Sequence, residues 1–146
     1  MSVDVRTEID IARPVDEVAA YATYPDNAPE WYANIESVTW ETEPPVQLGS
    51  KVAFVARFLG KRLGYTYEFV DYMPGERVVM RTAQGPFPME TTYTWSPVGA
   101  GSTRMTLRNR GEPSGFSKAM APLMAPAMRR ANRKDLAAIK AILESR

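Results

Sequence analysis

Six short strand-like segments follow one another between residues 35 and 110, and in several of them apolar and polar residues alternate. The turn-forming stretches PPVQLGS, LGKR, MPGE, QGPFP and SPVGAGS separate them. Regularly spaced short strands with tight turns are typical of an antiparallel meander. Because successive side chains of a strand point to opposite faces, the pattern predicts a sheet with one apolar, aromatic-rich face that another element must cover.

Segments on both sides of the meander supply a further strand and this cover. Residues 3–11 (VDVRTEIDI) alternate with period two, which predicts a half-buried strand. A short helix is expected over residues 14–22, where Pro14 fits the first helical position. After Gly115, apolar residues recur at three- and four-residue steps, as on a helix that packs one face on a sheet. The predicted fold class is α+β: seven antiparallel strands, two short helices after the first strand and a long C-terminal helix, in one domain spanning residues 1–146.

The stretch PDNAPEWYANIESV, residues 25–38, places two large aromatic side chains among turn-forming residues. Asp26 or Asn27 can cap a second short helix at this point, and Trp31 and Tyr32 are expected on its body.

Two prolines, Pro122 and Pro126, interrupt the beginning of the C-terminal helical segment. Each lacks a backbone N–H and clashes with the preceding turn, so a kink or an interruption is expected. Two interpretations stay open. The break could act as a hinged lid, or a separate short helix could end near Leu123 and the long helix begin with Pro126 in its first turn.

The chain of 146 residues contains neither histidine nor cysteine. The usual zinc sites, cysteine nucleophiles, Ser-His triads and thiol redox chemistry all need one of these side chains. Any catalysis must therefore use Asp, Glu, Tyr, Lys, Arg or bound water. The sequence has no phosphate-binding loop and no dinucleotide-binding motif, and we expect no metal and no cofactor.

Charge and hydropathy bear on location and partners. The longest apolar-leaning run, residues 116–128, is interrupted by a lysine and two prolines and is shorter than the roughly 20 residues of a membrane span. The N-terminal residues are charged where a signal peptide is apolar, so we expect a cytoplasmic protein. The net charge of +1 hides an asymmetry: residues 104–146 hold 10 basic and 3 acidic side chains, against 8 and 14 in residues 1–103.

The chain resembles the START-like polyketide cyclase/dehydrase and lipid-transport superfamily (SRPBCC) in the order of its elements and in several segments. These segments are IARPVDEVAAYATYPDNAPEWYANIESV, Gly49 before a strand, EFVDYMPGERVVMR, GAGSTRMTL and the closing DLAAIKAILE. The resemblance covers nearly the whole chain. It implies a helix-grip fold, in which a curved seven-stranded sheet wraps the long C-terminal helix and leaves a deep, mostly apolar cavity. It also implies that Trp31 and Tyr32 lie near the rim or base of that cavity.

The residues expected to line this cavity lie on the apolar strand faces and on the first half of the C-terminal helix. Methionine adapts to irregular surfaces, and ligand pockets are mostly apolar and aromatic with few polar groups. Core packing without a cavity is the alternative for each residue. The predicted ligand-binding residues are Trp31, Phe54, Phe58, Tyr65, Tyr67, Met80, Met89, Tyr93, Met105, Asn109, Met120, Met124 and Met128.

Polar residues on the predicted apolar faces are candidates to orient a ligand. Thr91 and Asn109 must each find a hydrogen-bond partner if they are buried, either in the protein or in a ligand. Strand alternation predicts that Arg57 and Glu90 face solvent. The sequence does not identify an inward-facing arginine or carboxylate, so no catalytic residue is assigned.

Three functions are consistent with these patterns. The favoured one is binding of a small hydrophobic or amphipathic molecule, such as a polyketide, a lipid or an isoprenoid-like compound. An enzyme of the polyketide cyclase/dehydrase type would act in the same cavity. The third is a protein or membrane interaction module that uses Arg129, Arg130, Arg133 and Lys134, which form one basic helical patch by their spacing.

Transient contact with anionic lipid fits this basic patch. Nucleic acid is not an expected partner, because four charges on one helix come without a recognised binding motif. The sequence is compatible with a monomer or a homodimer.

Overall fold

The computed structural model describes residues 3–113 and 119–146. The part of the predicted helical segment that falls on residues 115–118 lies outside these ranges. The elements are, in chain order, β1 (Val3–Ile11), α1 (Val15–Thr23), a 3₁₀ helix (Pro25–Asn27), α2 (Ala28–Trp31), β2 (Ile35–Trp40), β3 (Lys51–Phe58), β4 (Lys61–Met73), β5 (Arg77–Gln84), β6 (Met89–Pro97), β7 (Thr103–Gly111) and α3 (Ala121–Glu144).

The seven strands form one antiparallel sheet in the order β1-β7-β6-β5-β4-β3-β2. The N-terminal strand and the six strands of the meander all occur where the sequence predicts them, so the α+β fold class is confirmed. β-Bulges shift the register between β2 and β3 once and between β4 and β5 twice. A bulge bends its strand and increases the local twist, which favours the curled, half-barrel shape of this sheet.

Helix α3 packs on the concave face of the half-barrel, in the expected helix-grip arrangement. Leu136, Ile139 and Leu143 follow one another at three- and four-residue steps and are at most 1% exposed. Truncating a side chain of this kind in a packed core costs about 2–5 kcal/mol. The C-terminal half of α3 therefore anchors the helix to the sheet.

Among the described residues, buried apolar side chains pack in two clusters. The larger one lies under the C-terminal half of α3 and includes Trp95 and Met105. The smaller one joins Val5 and Met124, with Leu59 of the β3–β4 hairpin packed against it. The first half of α3 thus rests on a much smaller core than the second half.

The proline-containing part of α3 differs from both sequence interpretations, because the helix is continuous from Ala121 to Glu144. Pro122 lies in the first turn, where backbone N–H groups have no partner within the helix. Pro126 lies inside the helix, at a cost of about 3 kcal/mol. Burial of Met124 before it and of Leu136 after it outweighs this cost. Neither the break that a hinged lid needs nor a separate helix ending near Leu123 occurs.

The second short helix, α2, is also shorter than the sequence predicts. Tyr32 is its C-terminal cap residue and not part of its body. Neither Asp26 nor Asn27 caps it with a side chain. Asp26 instead accepts a hydrogen bond from the indole of Trp40, and Asn27 donates one to the carbonyl of Tyr21. Within the described ranges no helix is long and apolar enough to cross a membrane.

Candidate functional site

A cavity lies between the sheet, α2 and the first two-thirds of α3. Its volume is about 150 Å³. This volume is below the roughly 300–1,000 Å³ of pockets for drug-sized ligands, so the cavity suits a small molecule. Arg57, Phe58, Arg110 and Met128 line it and are half-buried or exposed, so they mark the rim where it reaches the surface.

Ten of the thirteen predicted ligand-binding residues line this cavity. They are contributed by strands β3 to β7 and by α3, because the apolar faces of these strands and the first half of the helix point to the same interior space. The ten residues are Phe54, Phe58, Tyr65, Tyr67, Met80, Met89, Tyr93, Asn109, Met124 and Met128.

Three predicted residues do not line the cavity. Trp31 is 1% exposed and lies behind Tyr32, with the ring centroids 4.1 Å apart, so Tyr32 is the residue of the pair that reaches the cavity. Met105 belongs to the large core cluster, where it is paired across the sheet with Trp95. Met120 is half-buried and precedes the first turn of α3.

Aromatic side chains form one wall of the cavity. The rings of Tyr65 and Tyr67 meet edge to face with centroids 5.0 Å apart, and Phe54 stacks on Tyr65 at 5.7 Å. Rings that pack on one another hold their orientation, and their free faces and edges attract apolar or aromatic groups. The wall is therefore a rigid surface for a flat or apolar ligand.

A chain of hydrogen bonds crosses the cavity wall from β4 to α3. The hydroxyl of Thr91 donates its single proton to Oδ1 of Asn109 at 2.5 Å, so it accepts from the hydroxyl of Tyr67 at 2.8 Å. Nδ2 of Asn109 donates to Oδ1 of Asn132 at 3.1 Å. The buried Nδ2 of Asn132 has no partner among the described residues. A buried donor without a partner costs about 1–3 kcal/mol, and a ligand oxygen would remove that cost.

Asp135 places a carboxyl group in the cavity, where the sequence identified none. The residue is 2% exposed and lines the cavity. Its Oδ1 accepts a hydrogen bond from the backbone N–H of Ala33 at 3.0 Å. Burial raises the pKa of Asp135 to about 6, although the Ala33 hydrogen bond and the charge of Lys134 oppose this shift. A carboxyl group with such a pKa can both take up and release a proton near neutral pH.

The sequence does contain a pattern that indicates Asn132 and Asp135, two cavity residues that the sequence analysis did not identify. Met128, Asn132, Asp135 and Ile139 are spaced by four, three and four residues, which places them on one face of a helix. Two polar side chains in an otherwise apolar stripe are unusual, and buried polar residues of this kind need a partner. Asn132 and Asp135 could have been predicted on that ground.

Three further tyrosine hydroxyls lie inside the cavity region. The hydroxyls of Tyr32 and Tyr93 are 2.6 Å apart, and burial is the main cause that raises the pKa of both. Burial also raises the pKa of Tyr65, whose hydroxyl has no hydrogen-bond partner within residues 3–113 and 119–146. At neutral pH these phenols are protonated and act as neutral donors.

Arginine side chains lie at the rim of the cavity. The sequence predicts that Arg57 and Glu90 face solvent, and the structure corrects this prediction for Glu90. Arg57 is exposed, as expected, and pairs with Glu36. Glu90, expected in solvent, is only 7% exposed, because Arg81 and Arg110 bind its two oxygens at 2.8 and 3.2 Å and cover it. In the part of the chain that the structure describes, no three acidic side chains cluster closely enough to hold a metal ion.

Comparison with known proteins agrees with this architecture. The sequence profile of the family described as polyketide cyclase / dehydrase and lipid transport matches residues 2–144. No curated protein sequence matches the chain significantly.

Three solved structures share the fold along nearly the whole chain. The protein TTHA0849 from Thermus thermophilus is 20% identical, with a TM-score of 0.81 and 94% of each chain covered. The Zhui aromatase/cyclase from Streptomyces sp. R1128 is 18% identical, with a TM-score of 0.81, and the match covers 97% of this chain and 93% of that one. A START superfamily protein from Mycobacterium smegmatis is 15% identical, with a TM-score of 0.80 and 97% of each chain covered.

At these identities the solved structures establish the shared fold, and the profile match over residues 2–144 establishes the family. The resemblance seen in the sequence is thereby confirmed. The chain belongs to the polyketide cyclase/dehydrase and lipid transport family.

Proposed function

We propose that this chain, as one domain spanning residues 1–146, binds a small amphipathic molecule in the cavity under α3, such as a polyketide, a lipid or an isoprenoid-like compound. The observation that carries the proposal is the combination of an aromatic wall with polar groups that have no hydrogen-bond partner among the described residues. Apolar surface removed from water contributes about 25 cal/mol per Å², so the aromatic wall supplies affinity. The amide of Asn132 and the hydroxyl of Tyr65 orient the ligand, because each can donate a hydrogen bond to an oxygen on it.

Native mass spectrometry on protein purified gently from its own cells tests this proposal. The intact folded protein is expected to carry a small molecule that is absent from the denatured protein. The mass difference gives the mass of the compound, and the accurate mass of the released compound gives its elemental composition. Ligand binding would be contradicted if the purified protein carries no small molecule and also does not bind 2-naphthol, a neutral aromatic alcohol of suitable size.

A second candidate function, catalysis of the cyclase/dehydrase type, is favoured by Asp135. Ring closure or loss of water on a polyketide-like chain requires a proton to be removed and an enolate oxygen to be stabilised. The Asp135 carboxylate is the candidate base, and the Tyr65 hydroxyl is a candidate donor to the oxygen. The aromatase/cyclase from Streptomyces sp. R1128 shares this fold, and the activity in its name supports the candidate by analogy only.

Variants that keep the shape of the cavity can distinguish catalysis from binding. If the chain is an enzyme, Asp135→Asn and Tyr65→Phe should lower kcat for the co-purified compound far more than they weaken its binding. We expect a loss of about 10²–10⁴-fold in kcat for a group that transfers a proton. Equal losses in kcat and in affinity would assign both residues to binding alone.

Several expectations from the sequence stay predictions. They are the cytoplasmic location, the absence of a cofactor, the absence of a nucleic-acid partner and a monomeric or homodimeric state.

A further inference from the structure

Four neighbouring cations on α3, Arg129, Arg130, Arg133 and Lys134, have no ion-pair partner in the described parts of the chain. We call them the basic surface. Most other arginines are neutralised by a neighbouring carboxylate. The examples are Arg57 and Arg62 with Glu36, Arg77 with Asp71, Arg104 with Asp10 and Arg108 with Asp4. Unpaired positive charge is therefore concentrated on one stretch of one helix.

The basic surface lies on the side of α3 that faces away from the cavity. Asn132 and Asp135 are buried and line the cavity, whereas Arg130, Arg133 and Lys134, at intervening positions, are exposed. A helix turns by about 100° per residue, so these two sets point in opposite directions. The charges are thus available to a partner outside the protein.

An exposed apolar side chain lies on the same side of α3 as the charges. Leu123 is 54% exposed and precedes Arg130 by seven residues, or about two helical turns, so both lie on the same face of α3. The cations therefore adjoin an exposed apolar group at the beginning of the helix.

We propose that the basic surface docks the protein on an anionic lipid bilayer. A bilayer with acidic head groups offers negative charge to the four cations and an apolar layer to Leu123, so it matches both features. A nucleic acid would match the charges but leave Leu123 exposed to water. Each cation near an acidic membrane adds to binding, and the attraction falls within one Debye length. Docking of this kind is reversible and sensitive to salt.

Sedimentation with lipid vesicles tests the proposal. We expect the protein to bind vesicles of phosphatidylcholine with 30% phosphatidylglycerol in 0.1 M NaCl and to release them in 0.5 M NaCl. It should not bind vesicles of pure phosphatidylcholine. The variant Arg130→Glu/Arg133→Glu should lower the partition coefficient by at least about 30-fold. The single variant Leu123→Ser should also lower the partition coefficient relative to the wild type, because it removes the apolar contact with the bilayer. All three positions are exposed, so the variants should fold, which circular dichroism checks.

A matched control separates the basic surface from net charge. Arg6→Glu/Lys51→Glu makes the same change in charge at two exposed strand positions that also lack an ion-pair partner among the described residues. It should retain most of the vesicle binding. Equal losses in the two double variants, or equal binding to neutral and acidic vesicles, would overturn the proposal. Failure of the wild type to bind acidic vesicles would overturn it as well and would make an acidic macromolecule the partner to seek.

Discussion

Asp135 is a buried carboxyl group whose pKa differs from that of an exposed aspartate. Burial raises its pKa from 3.8 to about 6, so between these values the folded protein holds a proton that the unfolded chain has released. Stability then falls as the pH rises through this window, and above it the folded protein carries the full cost of a buried charge. The same cost makes the carboxylate reactive toward a proton on a bound ligand.

Asp135→Asn removes this cost while keeping an oxygen that can accept from the N–H of Ala33. Relative to wild type, the free energy of unfolding should be little changed below pH 4 and higher by up to about 3 kcal/mol at pH 7.5. Urea unfolding across this pH range measures the difference. Carboxylates with lowered pKa values, such as Asp4 and Glu144, titrate in both proteins and cancel. A difference that stays constant from pH 4 to 7.5 would contradict the raised pKa.

At the scale of elements, strand and turn patterns predicted the sheet well, because side-chain alternation depends only on local geometry. The same rule correctly sends Glu90 to the outer face, but it cannot show that Arg81 and Arg110 cover it. Nor can alternation tell which end of an apolar strand face reaches a cavity. Met105 and Asn109 lie on the same face of β7, yet only Asn109 lines the cavity. Such differences depend on how the whole sheet curls.

The continuity of α3 through Pro126 gives a second prediction. Pro126→Ala restores a backbone donor for the carbonyl of Pro122 and removes a steric clash, so it should raise the free energy of unfolding by about 2 kcal/mol. Pro122→Ala is the matched control, since a proline in the first turn costs the helix nothing, and it should change stability by less than about 1 kcal/mol. Guanidinium unfolding compares the two. Equal effects would indicate that Pro126 does not strain the helix.

At the scale of the whole molecule, the two halves of α3 differ in how tightly they pack on the sheet. The C-terminal half of α3 is fixed by Leu136, Ile139 and Leu143, whereas the first half covers a space that side chains do not fill. Groups that line unfilled space lose the dispersion contacts that a packed core would give. A ligand restores those contacts, and removal of its apolar surface from water adds to its affinity.

Titration of 2-naphthol, followed by its fluorescence, tests directly whether this space is the binding site. Ala131 lines the cavity from α3, and Ala137 lies on the exposed side of the same helix. The wild type and Ala137→Phe should bind with similar, saturable affinity. Ala131→Phe, which fills the cavity, should bind at least about 10-fold more weakly, since the lost contacts are worth more than about 1.4 kcal/mol. Equal binding by Ala131→Phe and the wild type, with both proteins folded, would contradict a ligand site under α3.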